Sequence, residues 1–237
     1  VTGVQTCALP ISNKDYGSDI ALVYFGKKIK YSELFEKIET TANAFVGLGI
    51  KAGDVVSIIS VTLPEIVYAF YALNKIGAIS NLIDPRTNID RVKTYLDMTN
   101  TRAVIILDAL FAKFKELIRD NYMGKTIVVS PKDSLPIVSK LLYSIKNRNK
   151  TEVGMKWKDF STINKGGLLS PDKYEKGKPA TIVYTGGTTG VPKGAMLTNE
   201  TLNVIALQYK LLGAEYNRKQ NFLNIMPPFI AYGITCG

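Results

Sequence analysis

Between Tyr184 and Gly194 the chain reads Y-T-G-G-T-T-G-V-P-K-G, a run of eleven residues with four glycines, three threonines and one lysine. Those residue types, gathered so closely, can hold an anion. Glycine accepts positive φ and lets the backbone approach a ligand, so N–H groups of Gly186, Gly187 and Gly190 can converge on phosphate oxygens. Thr185, Thr188 and Thr189 add hydroxyl donors, and Lys193 adds a mobile positive charge. The competing reading is a tight strand-to-strand turn that binds nothing. The join of glycines, threonines and a lysine favours the anion cradle.

Two common phosphate-loop templates fail on these residues. A Walker loop places Gly before its Lys and Ser or Thr after it, whereas Lys193 lies between Pro192 and Gly194. A dinucleotide fingerprint needs G-x-G-x-x-G at the start of a helix, and Gly186, Gly187, Gly190 and Gly194 contain no such triplet. The run instead closely resembles the phosphate-binding signature of the adenylate-forming (AMP-binding) superfamily: acyl-CoA synthetases, luciferases and the adenylation domains of peptide synthetases. That signature is commonly written Y-T-S-G-T-T-G-x-P-K-G. Gly186 stands where Ser is commonest, and the glycine form resembles the fatty-acyl-CoA ligase branch.

A loop of this kind needs rigid elements on both sides. Ala180 to Val183 reads as a strand leading in, and Ala195 to Thr198 as an extended stretch leading out. Asn199 can then cap a helix with Leu202, Ile205, Ala206, Tyr209 and Leu212 on one face. Nearer the start, β-prone runs at Ile20 to Phe25 and Ile29 to Tyr31 flank Gly26, Lys27 and Lys28 as a hairpin. Ser32 reads as the N-cap of a helix carrying Leu34, Phe35, Ile38, Ala42 and Phe45, ended by Gly47 and Gly49. Alternation follows: a strand over 54–60, a helix from Pro64 to about Ile76 stopped by Gly77, and a strand over 78–83. After a turn at Asp84-Pro85 come a helix over 89–98, a strand over 103–107, a helix over 109–119, a strand over 126–129 and a helix over 135–146. Such alternation predicts an α/β fold, with right-handed βαβ units on a parallel sheet. Trp157 and Phe160 are expected to tuck the following connector onto the body. Phe222 to Met226 reads as one more strand, followed by Pro227-Pro228 and an aromatic turn through Tyr232.

Composition narrows the chemistry further. The 237 residues are 46% hydrophobic, enough for a sizeable core. The longest apolar region, Val55 to Ser80, is broken by Pro64, Glu65, Asn74 and Lys75, which excludes one bilayer-spanning helix there. There is no histidine, so Ser-His and Cys-His catalysis and the usual zinc ligands are absent. Cys7 and Cys236 alone make no disulfide framework or cysteine-ligated metal site, and a cytoplasmic setting fits them. The formal net charge of +10 comes largely from Lys132 to Lys178, including Lys146, Arg148, Lys150, Lys156, Lys158, Lys173, Lys176 and Lys178. No nucleic-acid-binding motif accompanies those cations. A solvated basic connector is the favoured reading, with attraction of ATP, CoA or lipid headgroups open beside it.

Other stretches fall into register with the same superfamily. Ile29 to Leu34 resembles its T-Y-x-E-L box, and Leu73 to Arg86 resembles its L-x-K-x-G-A segment ending in Pro; neither is given a chemical role. Met226 to Gly233 (M-P-P-F-I-A-Y-G) resembles the box after the signature helix, with Ile230 where many relatives have His. Later superfamily motifs, G-Y-G-x-T-E, T-G-D and the lysine of the mobile C-terminal domain, do not occur. Residues 1–12 read as a non-native leader, and 13–237 as the N-terminal part of an adenylation domain, expected to be inactive alone. The resemblance implies that a carboxylate attacks the α-phosphate of Mg·ATP, giving an acyl-adenylate and pyrophosphate, and that the acyl group then passes to CoA or a phosphopantetheine carrier. Thr185, Thr188, Thr189 and the N–H groups of Gly186, Gly187 and Gly190 would hold the β- and γ-phosphates. Lys193 would offset charge on the departing pyrophosphate. Phe229, Ile230 and Tyr232 are candidates for an apolar acid pocket, read equally well as core or turn residues. No metal ligand is assigned within the chain, the Mg²⁺ carboxylate being expected outside it. The rivals are a non-catalytic ATP- or anion-binding regulatory module and, from charge alone, a nucleic-acid-binding protein.

Overall fold

The chain is described by a computed structural model that covers residues 13–120, 122–146, 154–163, 175–184, 193–211 and 221–236. An antiparallel hairpin, β1 (Ile20–Tyr24) and β2 (Lys27–Lys30), turns through Phe25 at φ 48° and Gly26 at φ 84°. Helix α1 (Tyr31–Gly47) follows at once. Ser32 lies inside its first turn and does not cap it. The N–H groups of Tyr31 and Ser32 are already taken by the carbonyls of Asp19 and Gly17, at 3.0 Å each, which removes the need for a side-chain cap.

The remaining elements alternate as the apolar patterns predict. In order they are β3 (Val55–Ile59), α2 (Pro64–Lys75), β4 (Ile79–Ile83), α3 (Ile89–Met98), β5 (Ala103–Leu107), α4 (Phe111–Arg119) and β6 (Lys125–Val129). Then come α5 (Ile137–Lys146), β7 (Met155–Lys156), α6 (Trp157–Phe160), β8 (Pro179–Tyr184), β9 (Gly194–Thr198), α7 (Asn199–Leu211) and α8 (Ala231–Cys236). Among the described residues, seven strands form one sheet in the order β7-β6-β5-β3-β4-β8-β9. All pairings in it are parallel except β8 with β9.

The central strands are continuous apolar runs because both of their faces are covered. On one face Val56, Ile58, Leu82 and Ile105 pack against α1 and α2 through Leu34, Phe45, Ile66 and Leu73. On the other, Ile59, Ile83, Val104 and Ile106 pack against α3 and α4 through Val92, Tyr95 and Phe114. Trp157 and Phe160 anchor the connector as expected, with the Phe160 ring 4.9 Å from that of Phe45. No helix among the described residues is long and apolar enough to cross a membrane.

Two further expectations are corrected. Thr198 caps α7, its Oγ1 accepting from the Thr201 N–H at 3.2 Å, while Asn199 Oδ1 accepts from Asn74 Nδ2 at 2.9 Å. Phe222 to Met226 is irregular backbone, with Phe222, Leu223 and Ile225 exposed. An apolar run becomes a strand only beside a ladder partner, and none of the described strands pairs with it. The Leu212 end of the expected helical stripe and the 1–12 leader lie outside the described residues.

Candidate functional site

The connectivity of the sheet decides where a ligand can enter. From β4 the chain crosses to β5 on one side, and from β8 it passes to β9 on the other. Connections that diverge from neighbouring parallel strands leave a crevice at their carboxyl ends. Asp84, Pro85 and Arg86 leave β4 there, and Tyr184 ends β8 there, because Ser80 to Leu82 pair with Thr181 to Val183. The signature begins at that edge and returns to it, since Tyr184 pairs with Gly194 across β8 and β9. The competing strand-to-strand reading therefore has the topology right. Thr185, Gly186, Gly187, Thr188, Thr189 and Gly190 lie outside the described residues; Lys193 is described, one residue before β9.

The neck of the loop is tightly packed. The Tyr184 ring stacks on that of Tyr95 from α3, with centroids 3.5 Å apart and planes 10° from parallel. Burial pushes the Tyr184 phenol up to about 12; the Asn81 amide opposes that shift and Tyr95 adds to it. The Tyr184 hydroxyl and Asn81 Oδ1 are both buried outside hydrogen-bonding geometry among the described residues. Asn81 Nδ2 donates to Ser57 Oγ at 2.8 Å, and Ser57 Oγ lies 2.7 Å from Thr101 Oγ1, which makes a buried polar seam behind the neck. Gly194 is required by space. A Cβ there would stand 3.0 Å from Ile182 Cγ2 and 3.3 Å from Tyr184 Cε1.

The crevice also gathers two stretches that lie far apart in sequence. The Arg86 guanidinium forks onto Asp84, Nε to Oδ1 at 3.0 Å and Nη2 to Oδ2 at 2.6 Å. Those hydrogen bonds hold the Asp84 carboxyl below its ordinary range. The same guanidinium lies 5.9 Å from the centroid of the Phe229 ring, joining the segment after β4 to Met226–Gly233. Phe229 is buried against the core, whereas Ile230 and Tyr232 are exposed. Gly233 permits this turn, because a Cβ there would fall 2.0 Å from the Pro227 carbonyl oxygen. The signal for Arg86 in the sequence was the Asp-Pro-Arg triplet directly after a strand. No group of three or more His, Cys, Asp or Glu side chains among the described residues could hold a metal ion.

The family described as AMP-binding enzyme matches residues 10–237. The long-chain-fatty-acid–CoA ligase of Bacillus subtilis is 28% identical over 231 residues, 91% of this chain and 40% of that protein. The 3-hydroxypropionyl-coenzyme A synthetase of Metallosphaera sedula is 31% identical over 176 residues, 72% of this chain and 26% of that protein. An acyl-CoA synthetase of Brucella canis superposes with a TM-score of 0.76 at 19% identity, over 99% of this chain and 40% of that one. ATP-bound MatB of Rhodopseudomonas palustris gives a TM-score of 0.76 at 17% identity, over 98% and 42%. At such identities the likeness to solved structures is one of fold. The chain spans 40% or less of the length of these two curated relatives. With a family match that begins at residue 10 and continues through Gly237, this chain belongs to the AMP-binding, or adenylate-forming, enzyme family.

Proposed function

We propose that the protein to which this chain belongs activates a carboxylic acid with ATP and passes the acyl group to CoA. The observation that carries the reading is the signature run, anchored at Tyr184 and Gly194 on the carboxyl edge of the sheet where β4 and β8 diverge. A carboxylate oxygen attacks the α-phosphorus, the bond from that phosphorus to the bridging oxygen breaks, and pyrophosphate leaves. The CoA thiol then attacks the acyl carbon, its proton is lost, and AMP departs. Such displacements need positioning and charge stabilisation more than covalent help from the protein. Thr185, Thr188, Thr189 and the N–H groups of Gly186, Gly187 and Gly190 hold the β- and γ-phosphates in this reading, and Lys193 offsets the charge that grows on pyrophosphate. Mg²⁺ would accompany ATP and offset phosphate charge, with no ligand for it assigned among the described residues of this chain. Phe229, Ile230 and Tyr232 are the pocket candidates in this reading, and the fatty-acid ligase relative supports an apolar acid as substrate. The two isolated cysteines support a cytoplasmic setting.

The test is acid-dependent exchange of pyrophosphate into ATP by the protein translated from the intact reading frame that contains this chain. Lys193→Ala is expected to slow exchange on the order of a hundredfold, the loss of about 3 kcal/mol typical of an electrostatic contact made in the transition state. Unchanged exchange in that variant sinks the role of Lys193. ATP binding with no exchange for any acid would favour the non-catalytic module.

A further inference from the structure

Helix α5 faces the wrong way for a helix in water. It meets the body through a polar side: the Tyr143 hydroxyl donates to Asp108 Oδ1 at 2.5 Å, and the Lys132 ammonium lies 5.8 Å from the centroid of the Tyr143 ring. Ser130 Oγ donates to the other oxygen of Asp108 at 2.5 Å, and just ahead of the helix Ser134 Oγ donates to Glu65 Oε1 at 2.6 Å. Ile137, Val138, Leu141, Leu142 and Ile145 are left 59–86% exposed. At 100° per residue these five fall within an arc of about 140°, a continuous aliphatic stripe about 12 Å long. A helix resting on a protein ordinarily buries such a stripe and shows its polar side to solvent.

Charge indicates what covers it. From Pro131 to Lys150 the chain carries Lys132, Lys140, Lys146, Arg148 and Lys150 against Asp133 alone, five cations to one carboxylate. Lys140, within the helix, is exposed. We propose that α5 is an interfacial helix that seats the protein on an anionic lipid surface. The stripe enters the boundary between headgroups and acyl chains while Lys140 meets anionic headgroups, the arrangement that gives amphipathic helices their affinity for such membranes. The excess of cations over carboxylates in this stretch of sequence, with Lys140 exposed on the helix itself, favours a lipid surface over an apolar protein groove, which would gain nothing from it. The proposal does not depend on the catalytic reading, because α5 lies outside the crevice between β4 and β8.

Co-sedimentation with vesicles of the protein translated from the intact reading frame that contains this chain tests it. That protein is expected to pellet with phosphatidylcholine vesicles containing phosphatidylglycerol, and far less with phosphatidylcholine alone. Lys140→Gln should weaken that binding about fivefold, and added salt should weaken it further. Leu141→Ser with Leu142→Ser should weaken it at least about tenfold. Both leucines face solvent, so the far-ultraviolet circular dichroism of the double variant should match wild type. Three outcomes would overturn the proposal: no pelleting with anionic vesicles, pelleting unaffected by the double substitution, or equal pelleting with both vesicle types. A dimer that ignores vesicles and is dissolved by the same substitutions would overturn it too, by showing that a second copy covers the stripe.

Discussion

Gly194→Ala tests the packing of the loop neck directly. The added Cβ would stand 3.0 Å from Ile182 Cγ2 and 3.3 Å from Tyr184 Cε1, inside the roughly 3.5–4.0 Å at which carbon atoms attract. Tyr184 is backed by Tyr95 at 3.5 Å and Ile182 is buried in the sheet, so neither can retreat freely. The edge strand β9 has to move. Overpacking of this kind costs about 1–3 kcal/mol, and the lower backbone entropy lost by alanine returns about 0.5–1 kcal/mol. The expected net effect is a loss of about 1 kcal/mol. Repeating the change in an Ile182→Ala background removes the shortest contact, so Gly194→Ala should there become neutral or stabilising. Urea unfolding of the four proteins, followed by circular dichroism, closes the cycle. An equal cost of Gly194→Ala in both backgrounds would refute the reasoning, because it would mean that the Cβ and Ile182 do not compete for the same space.

Glu65 makes stability depend on pH. Its carboxyl is buried with Oε2 unpartnered, and that burial raises its pKa above the ordinary 4.5 against the hydrogen bond from Ser134. The folded protein therefore keeps this proton to higher pH than the unfolded chain, so the contribution is intact below 4.5 and is lost as pH rises through the folded value. Glu65→Gln should flatten that decline and raise the melting temperature near neutral pH; thermal melts that keep the wild-type slope would contradict it. Phe160→Ala should cost about 3–5 kcal/mol and red-shift the emission of Trp157, the single tryptophan, whose ring lies 5.3 Å away. An unshifted spectrum would mean that Phe160 does not hold the connector down.

Most of the parallel sheet could be read from sequence because each strand is a short apolar run followed by its own glycine or turn. The helix over 89–98 and the strand over 103–107 fall at the expected residues. What escaped depends on partners distant in sequence. Ser32 reads as a cap locally, but the helix begins one residue earlier at Tyr31, where the carbonyls of Asp19 and Gly17 take the first two N–H groups. Phe222 to Met226 has strand composition, but none of the described strands forms a ladder with it. The spacing that marks a helix over 135–146 is silent on which side meets the body, and here that side is the polar one. At the site, composition located the anion loop, while the Tyr95 stack beneath Tyr184 and the Arg86–Phe229 contact needed the fold. Local pattern carries no information about such long-range pairs.

The place of β8 in the sheet also sets the order in which the molecule can be completed. Thr181 binds the Ser80 carbonyl at 2.9 Å across a sequence separation of 101 residues. Closing a loop of that length costs roughly 4 kcal/mol of chain entropy. At about 5–20 residues per second of synthesis, one side of β4 waits roughly 5–20 s for its neighbour. Until then an apolar edge with unpaired backbone groups is open to any passing strand, which is the usual start of mispairing. The strand that closes this gap is the one that carries the signature, and its own antiparallel partner is made later still. Pairing of β8 with β4 therefore covers that open side of β4 and brings Tyr184, the first half of the loop neck, into place in the same late step.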